Sequence, residues 1–219
     1  MLISNSHRFI FFHTGKTGGI SMRNILEPYA QEPEKFKILR PVKIIDSKPN
    51  KMYDVWKTLL LHAKASDAQK EFAPELFNAF YKFAFVRNPW DLQVSMYHFI
   101  LREPTSSTYS QVKAVGSFEA FIEWVIKTPT PYPKGITKLQ QQMLCDENGN
   151  LLVDFVGRYE TLHQDFEFIC QKLVISEKLP HLNKSKHDDY RSYYNNHTQN
   201  LVAEHFKSDI QLFGYKFSE

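Results

Sequence analysis

The chain has 219 residues, with 27 Lys and Arg against 24 Asp and Glu and a formal net charge of +3. Charges of both signs are interspersed, which excludes the broad basic face of a nucleic-acid binder, and no segment approaches the ~20 apolar residues of a membrane span. The length fits one α/β domain over residues 1–219 with a real core, to which 18 Phe, 11 Tyr and 3 Trp contribute. Cys145 and Cys170 lie far apart without metal-ligand spacing and are expected to stay reduced in a cytoplasmic compartment.

Residues 8–13 form a continuous apolar run, the pattern of a strand covered on both faces. The residues before it run straight into the strand, leaving no room for the charged and apolar regions of a signal peptide, so a soluble, unexported protein is expected. Met22, Ile25, Leu26 and Tyr29 then recur at helical spacing. A short strand is expected at 42–45, and 56–61 is an apolar element, strand or helix, that ends at His62. Residues 68–80 read as helix interrupted at Pro74, 82–86 as a second buried strand, and 90–101 as helix. A helix over 118–126 is bounded by the proline-rich loop 128–134. Residues 146–150 read as a turn, 152–158 as a third strand, 161–173 as helix and 198–212 as one closing amphipathic helix. Strands alternating with helices predict a parallel sheet flanked by helices, with ligands at the carboxyl ends of the strands.

The first strand stops at a Gly15-Lys16-Thr17-Gly18-Gly19 loop, and a helix follows at once. Strand, glycine-rich loop and helix hold phosphate: backbone N–H groups converge, the helix N-terminus carries partial positive charge, and a lysine adds a full one. The second strand ends at Arg87-Asn88-Pro89-Trp90-Asp91. Asn88 suits an N-cap, Pro89 the first helical position, and Asp91 the acid of a capping box. Arg87 is left at the strand tip, where its fork and the Ser95 hydroxyl could clamp a second phosphate. The competing reading pairs Arg87 with a carboxylate and leaves Ser95 on its helix.

The Lys16-Thr17-Gly18-Gly19-Ile20-Ser21 loop, taken with Phe83-Ala84-Phe85-Val86-Arg87-Asn88-Pro89-Trp90-Asp91 and Ser95, resembles the sulfotransferases that use 3′-phosphoadenosine 5′-phosphosulfate (PAPS). The resemblance is to the carbohydrate branch that includes heparan sulfate 2-O-sulfotransferases and many bacterial members. It extends through Phe155 to Glu160, Leu179 to Ser185, and the ending Asp209 to Tyr215. It implies a P-loop-like sulfotransferase fold in which Lys16, Thr17, Gly18, Gly19, Ile20 and Ser21 wrap the 5′-phosphosulfate. Arg87 and Ser95 would hold the 3′-phosphate, with Lys184 and Ser185 of a lid-like loop and Tyr159 near the nucleotide. Two positions depart from the pattern: Gly15 replaces a common Pro, and Ile20 replaces a Thr, leaving only its backbone N–H as donor. Gln93 stands near a position often held by a basic residue.

Sulfuryl transfer relies on positioning and on charge stabilisation at the bridging oxygen, a role that fits Lys16. An alcohol acceptor also loses a proton, which histidine can take near neutral pH. His62 occupies a place like that of the family's catalytic base, and His13 is the alternative; His98 reads as helix packing or a hydrogen bond. Glu160 reads as structural, capping the helix that begins near Thr161. The resemblance implies as products adenosine 3′,5′-bisphosphate (PAP) and a sulfated acceptor, expected to bear a carbohydrate or glycoconjugate hydroxyl, with no metal required. Residues 103–116 and 128–137 are expected to border the acceptor cleft, offering Tyr109 and Tyr132 for stacking. Two other readings compete. A P-loop nucleotide kinase needs a glycine where Ile10 stands in the strand, which argues against it. A non-catalytic PAPS- or PAP-binding protein of the same fold shares the loop but not the need for a base.

Overall fold

The computed structural model describes residues 1–30, 62–180 and 188–218. Four strands form a central sheet in the order β1 (Leu2–Ser4), β2 (Phe9–Phe12), β3 (Tyr81–Val86) and β4 (Phe155–Arg158). β2, β3 and β4 are parallel, whereas β1 pairs antiparallel with β2. The expectation of a purely parallel sheet is corrected at this edge. Residues 1–8 do not simply lead into the first strand; they fold back on it through a turn in which Ser4 Oγ accepts from His7 N at 3.2 Å.

The two central strands are buried on both faces, and their alternation sends side chains into two cores. Ile10, Phe12, Ala84 and Val86 face one core, with Phe72, Phe77, Met143, Leu144 and Phe213. Phe9, Phe11, Phe83 and Phe85 face the other, with Met22, Leu26, Leu162, Phe166 and Ile169. The helices that cover these faces are α1 (Gly19–Leu26), α2 (Ala65–Glu71), α3 (Pro74–Ala79), α4 (Pro89–Arg102), α5 (Tyr109–Val115), α6 (Phe118–Lys127), α7 (Gln141–Leu144), α8 (Leu162–Leu173), α9 (Asn196–His205) and α10 (Lys207–Phe213). A third core joins α4, α6 and α9 through Met96, Ile100, Phe121, Val125, Val202 and Phe206. Among the described residues no helix is long and apolar enough to cross a membrane.

Several boundaries differ from the sequence pattern. The 68–80 segment starts earlier, at Ala65, and is interrupted at Pro74 as expected, where a second helix opens. The 198–212 segment divides at Phe206, and residues 109–115 are helix where a loop is expected. β4 begins only at Phe155, because Leu151 is engaged in a bridge with Cys145. The expected elements at 42–45 and 56–61 lie outside the described residues.

Candidate active site at the carboxyl ends of the parallel strands

β2 and β3 end side by side, so the lysine loop and the Arg87 turn are neighbours. Thr14, directly after His13, donates its hydroxyl to Phe85 O on β3. It lies 3.0 Å from the Thr17 hydroxyl, which donates to Thr14 O at 3.1 Å. These bonds fold the loop back on itself. Lys16 adopts a left-handed backbone, φ 62°, and Gly18, φ 77°, caps α1. The N-terminus of α1 has no side-chain cap and no acidic residue in its first turn, so its field is uncompensated there. A Cβ at Gly18 would press on Leu162 at 2.8 Å, and one at Gly19 would strike the His13 ring. The space beside both α-carbons is therefore filled by protein, so a side chain at either position would press on its neighbour.

The Lys16 ammonium rests 4.2 Å from the centre of the Phe99 ring. Burial, followed by the nearby charges of Arg87 and Arg102, lowers its pKa to about 8. Cations gathered with one carboxylate among them form a site that gains from an incoming anion.

Arg87, 3% exposed, is held on three sides. Its Nε donates to Asp91 Oδ2 at 2.7 Å, its Nη1 donates to Lys16 O at 3.1 Å, and its guanidinium carbon sits 3.9 Å from the Tyr159 ring centre. The carboxylate pairing weighed against the clamp is thus present, and it leaves Nη2 without a protein partner among the described residues. Asp91 does not close a capping box. Asn88 N donates instead to Glu160 Oε1 at 2.7 Å, while the Asn88 side chain caps α4 by accepting from Trp90 N at 3.0 Å. Glu160 also accepts from the Tyr215 hydroxyl at 3.0 Å, so it ties β4 to α4 and the C-terminal segment rather than capping α8. Ser95, buried, lies four residues after Asp91 and four before Phe99. Residues at that spacing share a helix face, so Ser95 stands between the partners of Arg87 and Lys16.

His13 and His62 stack with ring centres 5.6 Å apart and planes 28° from parallel. The His62 ring packs on Gly135, and Ile136 of the same turn packs on Gly15, so residues 128–137 do border the lysine loop. Burial lowers His13 to about 3 and His62 to about 4, and both are neutral near pH 7. A hydrogen bond with the His13 backbone offsets part of this lowering at His62. Among the described residues, each Nδ1 is buried without a hydrogen-bond partner.

Other expected positions resolve differently. Tyr132 is buried, with its hydroxyl donating to Gln93 Oε1 at 2.6 Å, so it is a core residue and not a stacking platform. Gln93 is itself fully buried by that pairing and sits away from any peripheral contact. Tyr109 packs partly into the third core. Tyr159 carries the Arg87 guanidinium where a wall for a base is expected. His98 bonds the Tyr193 hydroxyl at 2.9 Å. Ile20 is 66% exposed beside Ser21 at the start of α1. Lys184 and Ser185 lie outside the described residues. Phe99 and Gln140 are missed by the sequence reading, and only Phe99 carries a signal, its helical spacing from Ser95; Asp209 is reached only as the start of the C-terminal segment of the resemblance.

The model of the sulfotransferase family matches residues 1–216. The chain belongs to the sulfotransferase family. A protein of Archaeoglobus fulgidus described as uncharacterized is 28% identical over 120 residues, which is 53% of this chain and 88% of that relative. The crystal structure of a sulfotransferase from Alicyclobacillus acidocaldarius covers 96% of this chain and 97% of its own, at 14% identity and a TM-score of 0.48. Membership in the sulfotransferase family makes this protein a transferase of sulfuryl groups.

Proposed function

We propose that this sulfotransferase moves a sulfuryl group from PAPS to an acceptor hydroxyl, on a carbohydrate of the kind used by the heparan-type branch. The observation that carries the reading is the Arg87–Lys16 juncture: one guanidinium bonds the carbonyl of the loop lysine at 3.1 Å, joining two anion-binding strand ends. The residues fit a donor with two separated phosphates. Lys16, the open N-terminus of α1 and the Thr17 and Ser21 hydroxyls would take the 5′ end, with the N–H groups of Gly18, Gly19 and Ile20. Arg87 Nη2 and Ser95 would take the 3′-phosphate. When bound, PAPS supplies an activated sulfuryl group on a phosphate leaving group and departs as PAP.

The protein's part is charge and proton management. Lys16, protonated, faces the charge that develops on the bridging oxygen, and the anionic donor restores a pKa that neighbouring cations depress. His62, neutral, takes the acceptor proton while its stacking on His13 holds the ring. His13 packs between His62 and Gly19 and orients both. The thermal-shift experiment compares PAP with ATP and magnesium, since a ligand that binds only the folded state raises its melting temperature. Stabilisation by PAP alone is expected. Stabilisation by ATP with magnesium but not PAP overturns the reading in favour of a nucleotide kinase.

A further inference from the structure

Arg87 is held by its backbone as firmly as by its side chain, and the residues that do so stand outside the loop and the clamp. Past the end of β3, Arg87 N donates to Gln140 Oε1 and Gln140 Nε2 donates to Arg87 O, both at 2.8 Å. The side-chain amide thus pairs with the strand tip as another strand would. On the opposite side β4 continues the sheet, with Tyr159 N donating to Val86 O at 2.8 Å. Gln140, 4% exposed, is braced in turn by Asp209 of α10, which is fully buried. The Asp209 carboxylate accepts from Gln140 N at 2.7 Å and Gln141 N at 2.9 Å. Burial raises its pKa to about 6 against the pull of these N–H groups. Two buried polar residues from distant parts of the chain thus hold both peptide groups that flank Arg87.

The backbone of Arg87 aims its guanidinium. A tilt of about 10° at the α-carbon moves the end of an arginine by about 1 Å, enough to spoil a phosphate contact. We propose that Gln140, braced by Asp209, is a positioning residue for donor binding, setting the direction in which Arg87 presents its free Nη2. The proposal rests on the donor reading of Arg87 given above.

Calorimetric titration with PAP of the full chain, Gln140→Ala, Arg87→Ala and the double variant tests it. Gln140→Ala is expected to weaken PAP about tenfold, the scale of one or two lost buried hydrogen bonds. The double variant should bind no more weakly than Arg87→Ala alone, because Gln140 acts only through Arg87. In turnover, the donor KM should rise while kcat changes less than about twofold. Should Gln140→Ala not fold, Gln140→Met keeps the side-chain length, loses both bonds to Arg87, and should show a similar loss with the same non-additivity. Additive losses in the double variant, or unchanged PAP affinity in either folded single variant, overturn the proposal. An Arg87→Ala protein that binds PAP normally overturns the donor clamp itself, an outcome distinct from failure at Gln140 alone.

Discussion

Two adjacent strand ends do opposite things with their backbone. After β3, the polar groups of the turn are engaged by protein: Val86 O by Tyr159 N, Arg87 N and O by Gln140, Asn88 N by Glu160, and Asn88 O by Leu92 N. After β2, the loop bonds itself through Thr14 and Thr17 and then opens into α1 with neither a side-chain cap nor an acidic residue. The first turn is saturated so that a side chain can be aimed. The second leaves the N-terminus of α1 uncapped, with its lysine beside it. On the proposed function, anion recognition divides between a rigid pointer and an open cradle, and each should fail in its own way when altered.

The cradle should fail in chemistry. Lys16→Ala is expected to lower kcat by about 10²–10³-fold, the cost of one lost stabiliser of transition-state charge, measured by transfer of labelled sulfate. A loss confined to PAP affinity would make Lys16 a mere binder. His62→Gln should lower turnover by about 10²-fold with PAP affinity unchanged; full turnover across the pH range would hand the proton to another group. The pointer should fail in binding and stability. Arg87→Ala is expected to weaken PAP by ten- to a hundredfold, roughly, and to destabilise the fold by about 3 kcal/mol, because the buried partner Asp91 is left unpaired. Calorimetry and urea unfolding read the two effects separately.

The pH profile sharpens the contrast further. His62 must be neutral, with its pKa lowered to about 4, and Lys16 must be protonated, with its pKa lowered to about 8. Accordingly kcat/KM should rise through pH 4, stay level, and fall through pH 8. Lys16→Arg should move only the falling limb, to higher pH. A rising limb at the ordinary histidine value would show that His62 is not the base. The smallest effect is expected at Ile20, which is 66% exposed. Ile20→Thr should tighten PAP by about two- to fivefold through one added donor and leave the melting temperature unchanged.

What the sequence revealed tracks how local each cause is. The lysine loop and the Asn88–Pro89 helix start were legible because a strand run, glycines, an N-cap and an N1 proline act within a few residues. Asp91 had the right spacing for a capping box, but Glu160, 72 residues away from Asn88 in sequence, satisfies that N–H first and releases Asp91 to Arg87. Helical spacing alone could have favoured that pair, since the two are four apart. No pattern near Gln140 announces a bond to Arg87 across 53 residues. The break at Phe206 is equally silent, because no glycine or proline marks it and the apolar periodicity continues through. Tyr132 looked available in a proline-rich loop, yet Gln93 draws it inward.

The left-handed backbone of Lys16, φ 62°, sets stability and activity against each other at one residue. A side chain in that conformation costs about 1 kcal/mol or more, a strain that glycine does not feel. Lys16→Gly should therefore melt later than Lys16→Ala while being equally inert. Such a protein would keep the Arg87 pointer intact and hold unreacted donor, which makes it the form to co-crystallise with PAPS and candidate acceptors.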